Sequence, residues 1–163
     1  MHEDVRQWFN RYSEAQADLD DLRARRDALI QRSEAARTSV WDDIPHGKGD
    51  HADPTGIMAV RIEDLNAEIA ERVAEADALY HEIEATIQRI RCKHWADLRC
   101  VLRCRYLDRW DWNTTAKILF ERRYPDFEER SENFVRRTHL LHAKALEALE
   151  ILVPNLCGTG NDT

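Results

Sequence analysis

A chain of 163 residues that is 43% hydrophobic and 34% charged has enough apolar material for one mid-sized core or two small ones, which excludes wholesale disorder. Only five glycines and four prolines punctuate it, too few for the turns of a β-sandwich or barrel, so the expected class is all-α. A net charge of −7 excludes a protein that coats nucleic acid through a broad positive field.

The opening MHEDVRQWFN lacks the basic-then-apolar order of a signal peptide, and no apolar run is long enough to span a bilayer; a cytoplasmic protein with no membrane partner is expected. The four cysteines, at 92, 100, 104 and 157, form no CxxC pair, so reduced thiols are the default. Charge is distributed unevenly. Residues 1–56 and 57–91 are each acidic, whereas residues 92–150 carry twelve Lys/Arg against ten Asp/Glu. A nucleic-acid contact is therefore to be sought in the C-terminal third.

From Val5 to Val40, apolar residues recur at alternating steps of three and four through Trp8, Tyr12, Ala15, Leu19, Leu22, Leu29 and Ala36, with only Arg26 and Ser33 polar on the seam. This is a heptad pattern, and one long helix is predicted. The segment Trp41 to Gly56 gathers proline, glycine, aspartate and histidine, a composition that leaves helical geometry and predicts a loop over 41–56. A second seam runs through Ile62, Leu65, Ile69, Val73, Ala76, Tyr80, Ile83, Ile87 and Ile90. Two helices with such stripes are expected to pack as an antiparallel, coiled-coil-like hairpin over residues 1–91, and the same seams offer a route to a homodimer.

The second helix is expected to continue past Cys92 to about Tyr106, where LDRWDW breaks the pattern. Asp111 can then cap a short helix through Phe120, with Ala116, Ile118, Leu119 and Phe120 on its apolar side. After ERRYPDFEER, Ser131 can cap a last helix to about Leu152, and residues 154–163 read as a flexible tail. In that last helix Phe134, Val135, Thr138, Leu141, Ala145, Leu149 and Leu152 share one face. Asn133, Arg136, Arg137, Leu140 and Lys144 lie toward the other. The order over 92–153 is that of a helix-turn-helix, with a packing face and a face suited to DNA, because an arginine fork grips a guanine edge or a phosphate by two bonds.

The stretch LRCVLRCRYLDRWDWNTTAKIL, followed by SENFVRRTHLLHAKALEAL, resembles sigma-factor region 4 and the phage-encoded late transcription regulators of the ArpU and RinA type. The resemblance implies that Ser131, Glu132, Asn133, Arg136 and Arg137 occupy the groove-facing start of a recognition helix. It also implies that Thr114, Thr115 and Lys117 approach the phosphate backbone. Double-stranded DNA is the partner so implied, with RNA polymerase as a possible second one. Leu119 and Val135 are 16 residues apart, a wider separation than in that family, and the glycine of its turn is absent. In the extra segment Arg122, Arg123 and Arg130 are candidate phosphate contacts, while its acids would repel DNA if they faced it. The competing expectation is a helical adaptor that binds only protein.

Other chemistry has weaker support. Cys92, Cys100 and Cys104 fall on one predicted helical stripe and are expected to be small buried side chains, since zinc needs four converging ligands and His94 points elsewhere. His139 is expected at the surface and His142 in the core; Trp110 and Trp112 are expected to pack at the junction of two helices. The loop residues His46, His51, Asp42, Asp43, Asp50 and Asp53 sit on a segment too loose to hold a catalytic geometry, and GKGD lacks the remainder of a phosphate loop. No catalytic residue, metal or cofactor is assigned.

Overall fold

The computed structural model describes residues 2–39 and 54–152, and every regular element among them is helical. Helices α1 (His2–Ser39) and α2 (Pro54–Gln88) are followed by α3 (Trp95–Leu102), which widens into a π-helical turn over Arg103–Leu107. Helix α4 (Trp112–Phe120), a 3-10 turn at Glu128–Arg130 and helix α5 (Ser131–Leu152) complete the chain. The fold is all-α and contains the antiparallel hairpin of α1 and α2. The predicted loop ends earlier than expected, because Pro54, Thr55 and Gly56 belong to α2; proline suits a helix start, where its missing N–H has no intrahelical partner. Residues 41–53 and the tail 154–163 lie outside the described residues.

Where the linear pattern places a boundary between residues 91 and 92, compactness divides the chain into residues 15–76 and a second unit made of residues 1–14 with 77–163. The unit of residues 15–76 is a two-helix hairpin. It buries Leu19 and Leu22 of α1 and Ile69 and Ala76 of α2 within the single chain. Its ion pairs, such as Arg23 with Asp20 and Arg72 with Glu75, connect neighbouring turns of one helix and contribute little at such exposure.

The other unit holds the main core. Val5, Trp8 and Phe9 from the start of α1 join Ile83 and Ile87 of α2, and with Ile90 they pack among Val101, Leu102, Ala116, Leu119, Phe120, Ala145, Leu146 and Leu149. Phe9 stacks on Tyr106 with ring centroids 4.3 Å apart. Residues 1–14 and 77–90 therefore belong to the same core as the C-terminal helices, since their seams turn from short side chains to Trp, Phe and Ile.

The continuous helix expected through Cys92 does not form. Helix α2 stops at Gln88, Arg89 and Ile90 close tight turns onto Thr86 and Ile87, and His94 takes a left-handed conformation at φ 63° before α3 begins. Histidine is one of the few residues with a β-carbon that enters that region readily. Arg99 secures the break from the far side: its guanidinium donates to the Gln88 carbonyl at 2.5 Å, to Gln88 Oε1 at 2.7 Å and to the Ile90 carbonyl at 2.9 Å. The Gln88 main-chain carbonyl is one that a helix end leaves without an intrahelical partner. Arg103 pairs with Glu84 of α2, which holds that carboxyl below its usual range.

Asp111 caps α4 as expected, its carboxylate accepting from the Thr114 amide at 2.7 Å. Ser131 does not cap α5. Its backbone is already helical (φ −52°, ψ −42°), because the 3-10 turn at 128–130 runs straight into the helix. Ile118 and Trp110, expected to pack, are 43% and 40% exposed, and Leu152 is also exposed.

The connection ERRYPDFEER is itself folded. Phe127 is buried, and its ring lies 5.3 Å from that of Phe134, in a cluster with Phe120 and Tyr124. Phe127→Ala is expected to lower the unfolding free energy by about 3–5 kcal/mol in urea titrations, as for other large core truncations. His142 is also buried, with Nε2 3.0 Å from Tyr106 Oη. Burial, and then the positive charges of Arg6 and Arg105, pull its pKa down to about 4 from 6.5. The unfolded chain takes up this proton near pH 6.5 while the folded chain resists until about pH 4. Stability from this group is therefore complete above pH 6.5 and is lost as pH falls toward 4, by up to about 3 kcal/mol. Denaturation midpoints between pH 7 and 4.5 should show that loss in the wild type and a flatter profile in His142→Phe.

Candidate nucleic-acid interface

Helix α5 is two-faced. Phe134, Thr138, His142, Ala145, Leu146 and Leu149 are buried, a stripe at helical spacing that packs against α3 and α4. Asn133, Arg136, Arg137, Leu140 and Lys144 are all exposed on the remaining surface. Glu132 is exposed beside them, and Ser131 is half-buried at the helix start. His139 is exposed and His142 buried, in agreement with the sequence expectation.

Aromatic contacts hold α5 in place against its neighbours. Trp112, at the start of α4, lies 4.0 Å from the His139 ring and 5.2 Å from that of His142. Arg105 covers the other partner surface of Trp112 at 4.1 Å and donates to the Trp110 carbonyl. At the opposite end of α4, Arg137 sits 5.1 Å over the Phe120 ring and 5.7 Å over that of Tyr124, and donates to Tyr124 Oη at 3.2 Å. Tyr124, in the connection, is a positioning residue that sequence reasoning passed over; only its aromatic character beside a proline hinted at an ordered segment.

Two of the four acids of the connection are held in ion pairs, while Glu128 and Glu129 are exposed. Asp126 pairs with Arg130 at 2.8 Å and Glu121 with Lys117 at 3.4 Å, while Arg123 reaches Asp97 of α3 at 2.8 Å. No carboxylate among the described residues forms an ion pair with Arg136, Arg137 or Lys144. Arg136, Arg137 and Lys144 thus stay outside ion pairs on an exposed face, with Glu132 and Glu147 exposed on the same helix, while Arg130, Arg123 and Lys117 are each paired with a carboxylate.

Several candidate contacts fare differently in the structure. Thr115 is fully buried, and its hydroxyl donates to the Asp111 carbonyl at 2.7 Å, so it supports the turn before α4 and is unavailable to a phosphate. Thr114 is exposed, with its backbone amide occupied by the Asp111 cap. Lys117, Arg122 and Arg123 are exposed. The connection of residues 121–130 between α4 and α5 is longer than the three or four residues of the shortest helix-turn-helix turns, and its anchors are Phe127 and Tyr124 rather than a glycine.

The cysteine expectation is corrected. Cys92 precedes α3 and is exposed, Cys100 is half-buried and Cys104 buried, so the three do not form one covered stripe. The helix break at residues 89–94 separates Cys92 from the other two. Among the described residues no group of three or more His, Cys, Asp or Glu is placed to hold a metal ion, and no helix is long and apolar enough to cross a membrane. No protein-family model, curated protein or solved structure matches the chain.

Proposed function

We propose that the protein is a DNA-binding transcription regulator of the phage type, which reads duplex DNA with the first turns of α5. The observation that carries this is the exposed set Asn133, Arg136, Arg137 and Lys144, its cations outside ion pairs among the described residues, on a helix whose opposite face is packed in the core. Arginine forks and the asparagine amide match guanine and adenine edges in the major groove, and Leu140 on the same face is suited to a thymine methyl. Arg122 of the connection, exposed and free of ion pairs among the described residues, is the backbone-contact candidate beside it. Asn133 and Arg136 specify in this scheme; Arg137, pre-oriented by Tyr124, and Lys144 position.

The likeness to sigma-factor region 4 supports the same assignment through RYLD, TAKIL and SENFVRR, and makes RNA polymerase the natural protein partner of the acidic hairpin. Pairing of two copies through the hairpin has less to draw on, since Leu19, Leu22, Ile69 and Ala76 are already buried within one chain. A protein-only adaptor is the alternative. Leu140, 65% exposed in the middle of the cationic face, is the feature that favours it.

Selection from a random duplex pool supplies the ligand, and affinity is then measured across a salt series. Log affinity is expected to fall linearly with log salt, with a slope of about −0.9 for each phosphate neutralised. Arg136→Ala with Arg137→Ala should weaken binding by about 1–3 kcal/mol per lost base contact and relax the selected sequence, while Arg130→Ala, already paired with Asp126, should change little. Equal binding by the double variant and the wild type would remove α5 as the reading element. Enrichment of no duplex at low salt would favour the adaptor.

A further inference from the structure

Cys100 and Cys104 carry chemistry that DNA reading leaves unused. Their Sγ atoms lie 3.9 Å apart, one helical turn from each other. Both line a cleft of about 530 Å³ whose wall also includes Trp95, Arg99, Arg103 and Trp110. Cys100 is half-buried on that wall, whereas Cys104 is only 3% exposed. Cys100 is thus the more accessible of the two, and Cys104 the more enclosed. Two thiols so placed do not make a tetrahedral metal site, which needs further ligands, but they satisfy the requirement of a reacting and a resolving cysteine.

We propose that Cys100 and Cys104 form a peroxide-reactive dithiol, in which Cys100 is oxidised first and Cys104 closes a disulfide onto it. In the first step the Cys100 thiolate attacks one oxygen of hydrogen peroxide; the S–O bond forms, the O–O bond breaks, and hydroxide leaves and takes a proton to become water. Sulfur is oxidised to the sulfenic acid and peroxide is reduced. In the second step Cys104 gives up its proton and attacks the Cys100 sulfur; the S–S bond forms, the S–O bond breaks, and a second water leaves. Two thiols and one peroxide become one disulfide and two waters.

The surroundings favour this division of roles. The hydrogen bond with Cys104 is the main influence that draws the Cys100 thiol down to about 7, with Arg103 and Arg123 contributing against burial and the charge of Asp97. The same hydrogen bond, with burial, pushes the Cys104 thiol up. The proton therefore rests on the inner sulfur and the thiolate on the outer one, and reactivity follows the thiolate.

Closure requires the backbone to adjust at Cys104. Cβ atoms four residues apart on a regular helix are about 5–6 Å from each other, beyond the span of about 3.5–4.5 Å that a disulfide takes. Cys104, however, sits in the π-helical turn, where the Asp108 amide reaches the Arg103 carbonyl at 2.9 Å, and such wide turns can shift register locally. The Cys104 carbonyl accepts from the Trp110 amide at 2.8 Å, next to the Asp111 cap of α4, so a shift there is transmitted to the start of that helix.

The test treats the full chain with hydrogen peroxide at pH 7, blocks remaining thiols by alkylation and maps tryptic peptides by mass spectrometry. The peptides spanning residues 100–103 and 104–105 are expected to leave joined, lighter by two hydrogens and separable by a dithiol reductant. They should form at least about fivefold faster than exposed Cys92 is modified. In Cys104→Ser, oxidation should stop at a sulfenic acid on Cys100 that dimedone captures; Cys104→Ala, checked for helicity by circular dichroism, supplies the same test if serine unfolds that buried position. Oxidation of Cys92 ahead of an intact Cys100, or a folded Cys104 variant with no dimedone adduct at Cys100, would overturn the proposal.

Discussion

The unit that carries the candidate interface depends on the reversal of the chain between α2 and α3, and that reversal rests on Arg99. Its guanidinium donates to the carbonyl of Gln88, which the end of α2 leaves open, and to that of Ile90, from 11 and 9 positions away in sequence. A charged donor matters because it keeps those carbonyls hydrogen-bonded while α3 turns back onto the core. Once α3 is turned back, Val101 and Leu102 can be fully buried, and the helices that pack on them acquire a common platform. Arg103 with Glu84 adds a second tie across the same break.

Helix α5 inherits its orientation from that platform. Its buried stripe is held by α3 and α4, while aromatic contacts at Trp112 and Tyr124 fix its rotation about its own axis. Rotation decides which residues of α5 meet solvent. The connection ahead of α5 also decides charge. It pairs Asp126 with Arg130, and Glu121 with Lys117 of α4, so that these two carboxylates do not engage Arg136, Arg137 or Lys144. An acidic chain thereby presents three cations outside ion pairs on one exposed helix, the feature on which the proposed DNA contact rests.

The same platform brings the two thiols together. Cys104 occupies the widened turn that ends α3, and its carbonyl anchors the turn into α4. Such π turns are rare within helices and occur frequently at functional sites. The left-handed residues His94 and Arg109 bracket this region, at φ 63° and 58°. Neither is glycine, and both are sustained by the contacts of their neighbours.

Local patterns were legible in the sequence, because they depend on side-chain periodicity and on groups a few residues apart. Thus the heptad seams marked α1 and α2, Asp111 marked the cap of α4, and the alternation of apolar and cationic residues over 131–152 separated the packed face of α5 from the exposed one. What the sequence did not disclose depends on partners distant along the chain. The stop of α2 at Gln88 has no glycine or proline to announce it, since Arg99 and a left-handed His94 supply the break. Thr115 reads as a surface hydroxyl until its burial on the packed side of α4 is seen, and Trp110 reads as core until it is left in solvent. The ten-residue connection looked like an interruption, yet Phe127 makes it part of the core. Periodicity reports which residues share a face; only the packed chain decides what that face meets, because burial and charge compensation are properties of neighbours in space.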